Sequence, residues 1–169
     1  IKVYIQEVRS ADEATSPYKK KGPQIEATRS SEGFLKRLFE EEIHEIYDGT
    51  VVIKAIARKA GVRAKVAVSS VNDDVDATGA CIGQGGSRIQ KIVSQLGNGH
   101  SKEKSDIIEW SEFTPKFIIE SVRPVIALGV NVDEENKEAE VILSKEALEN
   151  QLGRYRNNTA LASALTGYK

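Results

Sequence analysis

One order of elements runs through this chain twice, and it constrains the fold more than any single residue. Counting apolar spacing from Ser30, a helix with Phe34, Leu35, Leu38 and Phe39 on one face is expected, capped by Ser30 or Ser31 and stopped near Tyr47-Asp48-Gly49. Residues 51–58 are β-branched and read as a strand, Gly61 makes a turn, and residues 63–68 alternate, with Ala64, Val66 and Val68 opposite Arg63, Lys65 and Ala67. After Asn72-Asp73-Asp74 come a short helical turn, the glycines of Gly83-Gln84-Gly85-Gly86, and a helix carrying Ile89, Ile92, Val93 and Leu96 that ends at Gly97. A strand at 106–110 closes the unit. The order then restarts. Thr114-Pro115 opens a helix with Phe117, Ile118 and Val122, stopped by Pro124. A hairpin of residues 125–132 and 140–143 follows, then a helix capped by Ser144 with Ala147, Leu148 and Leu152, and a last helix with Ala160, Leu161, Ala164 and Leu165 that stops at Gly167. A shift of 70 residues lays Gly83 on Gly153, Gly97 on Gly167 and Ile82 on Leu152.

Ahead of the repeat, Ile1, Val3 and Ile5 alternate with Lys2, Tyr4 and Gln6, the pattern of a half-buried strand whose apolar side faces a core. Pro17 and Lys19-Lys20-Lys21-Gly22-Pro23 interrupt it, and residues 24–29 read as a returning strand. Two strands do not hold a domain by themselves. They are therefore expected to be the end of a larger sheet, and the chain, which has no Met, an excerpt of a longer protein.

The chemistry concentrates in Ile82-Gly83-Gln84-Gly85-Gly86-Ser87-Arg88-Ile89, a helix–GxxG–helix. A phosphate approaches such a turn because glycine presents no Cβ, and the first amides of the following helix lack intrahelical partners and favour an anion. Ile82 and Ile89 are expected to anchor the helices beneath the loop, with Arg88 and Lys91 on the solvated side adding charge to phosphate contacts. A carboxylate at Gly83 or Gly86 should then cost affinity for a phosphate backbone and spare the fold. The competing reading is a plain tight turn between helices. A Walker loop would need Gly-Lys-Ser/Thr, and a Rossmann loop would follow a strand directly; neither holds here.

Composition narrows the class. Of 169 residues, 40% are apolar and 29% charged, as in globular proteins, and no apolar run approaches a membrane span. The net charge of −1 conceals a segment from Thr50 to Lys104 with nine Lys or Arg against four Asp or Glu. A basic face inside an acidic chain is what these counts permit. Cys81 is the single cysteine, which favours a reducing, cytoplasmic setting, and its apolar neighbours suggest a buried structural thiol. His44 and His100 lack metal-ligand spacing, and no Ser/His/Asp arrangement suggests catalysis. Glu40-Glu41-Glu42 reads as a solvated face and Trp110 as core packing. No catalytic, cofactor or metal residues are expected.

Several segments resemble the NusA family of bacterial transcription elongation, termination and antitermination factors. Lys21-Gly22-Pro23-Gln24-Ile25 resembles the end of its S1-type OB domain. Residues 34–39 and Glu45-Ile46-Tyr47-Asp48-Gly49-Thr50-Val51 resemble the approach to its first KH unit. Residues 57–68, Val75-Asp76, residues 79–83 and Gly86-Ser87-Arg88-Ile89-Gln90 are similar to the hairpin and phosphate clamp of that unit. Residues 106–111 resemble the junction between KH units, and Leu165-Thr166-Gly167 the last helix end.

This resemblance implies an α/β (α+β) fold: tandem bacterial-type KH domains, each a three-stranded sheet covered by helices, behind a partial OB-fold hairpin. The expected boundaries are 1–30 for the OB end, 31–110 for the first KH domain and 111–169 for the second, lacking its last strand. It also implies a noncatalytic, monomeric, cytoplasmic platform for single-stranded RNA such as the nascent transcript, reaching RNA polymerase through the full-length protein. The residues expected to meet RNA are Ile82, Gly83, Gln84, Gly85, Gly86, Ser87, Arg88 and Lys91, with Arg63 and Lys65 on the neighbouring strand. Gly153, Arg154, Tyr155, Arg156 and Asn158 belong to the second clamp. Two departures from the family bear on grip: Gln84-Gly85 stand where a basic residue is common, and Arg156 replaces the second clamp's closing glycine. His44 stands where the family usually has a proline, which concerns the helix end. The alternative function is an RNA-binding accessory module of an RNA-processing enzyme, since OB and KH units also accompany nucleases.

Overall fold

The computed structural model describes residues 1–9, 25–96, 103–152 and 157–169. The expected helix begins where its cap directs it: α1 (Glu32–Glu42) starts after Ser31, whose hydroxyl oxygen accepts the Phe34 N–H at 3.2 Å. It breaks at extended Ile43, and a single further turn, α2 (His44–Tyr47), runs to the left-handed Gly49. The strands β3 (Val51–Lys59) and β4 (Arg63–Ser70) form an antiparallel hairpin. Next come α3 (Ala77–Ile82), a short turn of 3-10 helix (Gln84–Gly86) and α4 (Ser87–Leu96), which carry the chain back to β5 (Lys104–Glu109), parallel to β4. A parallel strand requires such a crossover. Here the crossover is the segment that holds the glycine turn.

Phe34, Leu35, Leu38 and Phe39 from α1, with Ile92 and Leu96 from α4, close over Ala64, Val66 and Val68 of β4. Full burial of a Val, Leu or Phe side chain contributes about 1.5–3 kcal/mol, so this layer carries most of the unit's stability. It also supports the helices on either side of the glycine turn.

The second round of elements is α5 (Thr114–Ser121), β6 (Ala127–Asp133), β7 (Glu138–Leu143), α6 (Lys145–Leu152) and α7 (Asn158–Thr166). Ser144 caps α6 through the Ala147 N–H at 3.1 Å, and α7 ends on left-handed Gly167, both as expected. Helix α5 has Phe113 as its cap, Thr114 as its first residue and Pro115 as its second. Beyond α7, Lys169 lies beside β7. Its N–H donates to the Lys137 carbonyl and its carbonyl accepts the Ala139 N–H, both at 2.9 Å. That exchange is a parallel bridge, the same relation that β5 has to β4.

The far face of the first sheet is not open to solvent. Ala57, Ala67 and Ile108 pack against Phe117 of α5 and Leu161 and Leu165 of α7, with Ala55 and Trp110 at the margin. Two expectations change as a result. The Lys65 side chain, expected outside, is fully buried, and its ammonium donates to Asp106 at 3.3 Å and to the Arg123 carbonyl at 2.6 Å. Arg63 Nη1 donates to both Asp106 oxygens, at 2.8 and 2.7 Å, with little exposure. The polar side of β4 is an interface between the two units because α5 and α7 cover it.

Burial, partly offset by Asp106, pulls the Lys65 ammonium down to about 8. A folded lysine below its ordinary 10.5 holds fewer protons than the unfolded chain between about pH 8 and 10.5. Its contribution to stability therefore rises with pH across that window. Lys65→Met, with Asp106 still paired to Arg63, should fold with near wild-type stability at pH 7 and lose this alkaline rise. Urea titrations of both proteins from pH 7 to 10 measure the difference. Parallel curves would mean that the ammonium is not desolvated in this way.

At the other end, β1 (Tyr4–Val8) and β2 (Ile25–Thr28) pair antiparallel, as expected. Their two faces have different surroundings. Ile1, Val3, Ile5, Val8 and Ile25 are exposed, while Tyr4 packs against the first unit's core. Its ring lies 2.8 Å from where a Cβ on Gly33 would stand. Lys2 reaches Glu41 and Gln95, and Arg29 donates to the carbonyls of Lys2 and Gln95. The hairpin rests on the helical layer through its polar side. No described helix is long and apolar enough to cross a membrane.

Candidate nucleic-acid interface

Helix α3 ends at Gly83, whose φ of 73° and ψ of 169° suit glycine and almost no other residue. A Cβ there would meet the Arg88 Cγ at 2.7 Å and the Arg88 main-chain nitrogen at 3.1 Å. Gly83→Asp would therefore deform the turn, contrary to the expectation that a carboxylate at this position leaves the fold intact. Gly85 differs: its φ and ψ of 60° and 20° are left-handed, and nothing lies within 4 Å of the place its Cβ would take. Between them the Gly86 N–H closes onto the Gly83 carbonyl at 3.0 Å, and α4 begins at Ser87. The turn offers solvent a short stretch of main chain at the positive end of a ten-residue helix.

Gln84, Gly85, Ser87 and Lys91 are exposed around this turn, and Gly86 is half-exposed. Ile82, expected beneath the loop, is 37% exposed beside it, whereas Ile89 does pack against the core. Arg88 is not free on the solvated side. Its Nη1 donates at 2.8 Å both to Glu45 Oε2 and to the Ala80 carbonyl. Glu45 was not among the expected site residues; it lies 43 positions from Arg88, too far for any periodic pattern to connect them. The Glu45 carboxyl is held below its ordinary value by its own main-chain N–H and then by Arg88.

The remaining candidates divide. Arg63 and Lys65 are spent on Asp106 and lie away from the turn. Asn158, expected at the second clamp, is buried at the start of α7, and its amide donates to the Val122 carbonyl. It is a packing contact between α7 and α5, because α7 must sit flush on the first sheet. Gly153, Arg154, Tyr155 and Arg156 lie outside the described residues, as do Lys19-Lys20-Lys21 and His100. Lys59, at the end of β3, reaches Asn157 Oδ1 at 3.1 Å. Lys54, Lys59, Lys91 and Lys104 are exposed, so the basic segment presents a thinner cationic surface than its count suggests.

Cys81, His44 and Trp110 sit as expected. Cys81 is buried, and burial first, then Glu45, push its thiol up to about 12, leaving no thiolate for nucleophilic work. His44 is exposed beside Asp48 at 3.7 Å. Trp110 is half-buried, with the Lys54 ammonium 4.4 Å from its ring centroid. Among the described residues no cluster of three or more His, Cys, Asp or Glu is arranged to hold a metal ion.

A protein-family model described as NusA-like first KH domain matches residues 29–110. Those residues belong to that family. The match takes in α1 through β5 and the whole glycine turn, so the helix–GxxG–helix lies inside the NusA-like KH segment. Likeness extends along the chain. It is 44% identical over all 169 residues to the transcription termination/antitermination protein NusA of Halalkalibacterium halodurans, of which it covers 41%. It is 44% identical over its full length to that of Bacillus subtilis, covering 42%. It is 41% identical over 99% of its length to that of Thermus thermophilus, covering 40%. The chain thus spans about two-fifths of the NusA proteins it matches. The crystal structure of APE1850 shares the fold alone, at 18% identity and a TM-score of 0.52, over 77% of this chain and 85% of that one.

Proposed function

We propose that this chain is the RNA-binding part of a NusA-type bacterial transcription factor. It holds single-stranded RNA, the nascent transcript, at the Gly83–Gly86 clamp while the full-length protein engages RNA polymerase and modulates pausing, termination and antitermination. It works in the cytoplasm as a monomer, by binding and not by catalysis. The observation that carries this is the exposed Gln84-Gly85 main chain at the start of α4, inside a segment of NusA-like KH sequence. KH clamps of this kind take about four nucleotides.

Residues 1–30 are in this reading the end of an S1-type OB domain, 31–110 the first KH domain and 111–169 a second. The parallel bridge of Lys169 to β7 supports the last assignment, since it repeats the start of the β4–β5 pairing and leaves a place for a third strand.

Fluorescence anisotropy on single-stranded RNAs, the matching DNAs and duplexes, across a salt series, tests the proposal. With few exposed cations around the clamp, about two to five phosphates should be neutralised, giving a log–log slope of roughly −1.4 to −3.5. Binding should favour single strands. A slope near −8, or tighter binding to duplex, would indicate a broad cationic surface and overturn the clamp reading.

A further inference from the structure

We infer that Glu45 and Arg88 form a strut that holds the clamp turn in its binding shape, so that Arg88 is a positioning residue and not a phosphate ligand. This rests on the reading of Gly83–Gly86 as the RNA site, and deepens it. Three contacts support it. Arg88 Nη1 joins Glu45 Oε2 on α2 to the Ala80 carbonyl in the last turn of α3, each at 2.8 Å. The carbonyls of that last turn lack helical partners, and a cation there is favourable. The aliphatic stem of Arg88 lies against Gly83 so closely that a Cβ on Gly83 would stand 2.7 Å from Arg88 Cγ. One side chain thus fixes the carbonyl three residues before the turn, the first glycine of the turn and the first helical turn of α4. Its far anchor is rigid, because Glu45 sits between the buried Ile43 and Ile46.

The two roles for Arg88 make opposite demands on Glu45. A phosphate ligand would be hindered by the carboxylate, since Arg88 would have to leave it to reach RNA. Removing that charge would then strengthen binding. A positioning residue needs Glu45, and losing the pair lets the turn relax. The low pKa of the Glu45 carboxyl keeps it ionised at neutral pH, as the strut requires.

The test compares Glu45→Gln, Arg88→Gln and the double variant by anisotropy on a short single-stranded RNA, with amide hydrogen exchange of the free proteins alongside. Each single variant should weaken binding roughly three- to tenfold, and the double variant no more than either. The salt slope should stay as in the parent. Without RNA, the amides of residues 83–87 should exchange faster in Glu45→Gln, while those of β3 and β4 keep their protection. Tighter binding by Glu45→Gln, or a slope reduced by about 0.7 in Arg88→Gln, would make Arg88 a phosphate ligand and overturn the strut. Unchanged exchange at residues 83–87 would overturn it without reference to RNA. A parent chain that bound no RNA would overturn the clamp reading itself, and would do so even if exchange at the turn followed the strut.

Discussion

Gly85→Asp is expected to lower affinity for single-stranded RNA about tenfold or more, while Gly85→Asn retains most of it. The two side chains are nearly isosteric, and both tolerate the left-handed backbone that Gly85 adopts better than other residues do. Open space surrounds the position, so neither has to displace a neighbour. They differ in charge at the place where a phosphate would approach the start of α4. A loss confined to Asp therefore reports on an anion site, whereas equal losses would report only that glycine is needed. Binding isotherms at one salt concentration, with thermal melts to confirm that both variants fold, settle the matter. Equal and undiminished affinities would remove the clamp from the RNA site.

The largest effect on stability is expected at Arg58 and Glu103. Their side chains are each 1% exposed and meet as a fork, at 2.7 Å from Nε and 3.1 Å from Nη2. Arg58 Nη1 also donates to the carbonyls of Ser31, at 2.7 Å, and Arg29, at 2.9 Å, and Glu103 accepts the Gly61 N–H at 2.8 Å. The pair thus ties the entrance of α1, the β3–β4 turn and the approach to β5. Arg58→Met leaves a buried carboxylate without its partner, which costs about 3–5 kcal/mol. For a chain of this size that is a fall of about 10 °C in melting temperature. The double change Arg58→Met, Glu103→Leu should recover much of the loss, because no charge is then left buried. Urea denaturation of the two variants measures both. A loss below about 1 kcal/mol in Arg58→Met would show that water reaches Glu103.

Local features of both rounds of elements were legible in the residues. Ser31 and Ser144 cap helices, Gly61 and Gly167 adopt positive φ, and the Gly83–Gly86 turn lies between helices, because each depends on the chemistry of a few consecutive positions. The assignment of RNA contacts was less legible. Arg63, Lys65 and Ala67 read as the solvent side of an alternating strand, since alternation shows that two faces differ but not what covers each. Which side of β1 meets the first unit was not legible either. Ile1, Val3 and Ile5 look like a core face, yet the first unit is met by Lys2 and Tyr4.

By itself the sequence determined the order of the elements, their repetition, the position of the glycine turn and the kinship of residues 29–110 with NusA-like KH units. Helix period, caps and left-handed glycines act within a few residues and leave a visible pattern. Only the tertiary structure decided which cations remain available. Lys65 is removed by Asp106, 41 positions away, and by α5 and α7 closing over the sheet; Arg88 is drawn inward by Glu45, 43 positions away. Ion pairs across such separations follow from how helices stack on a sheet. No periodicity in the chain encodes that stacking, so Arg58, Arg63, Lys65 and Arg88, all within the basic segment, became internal ties.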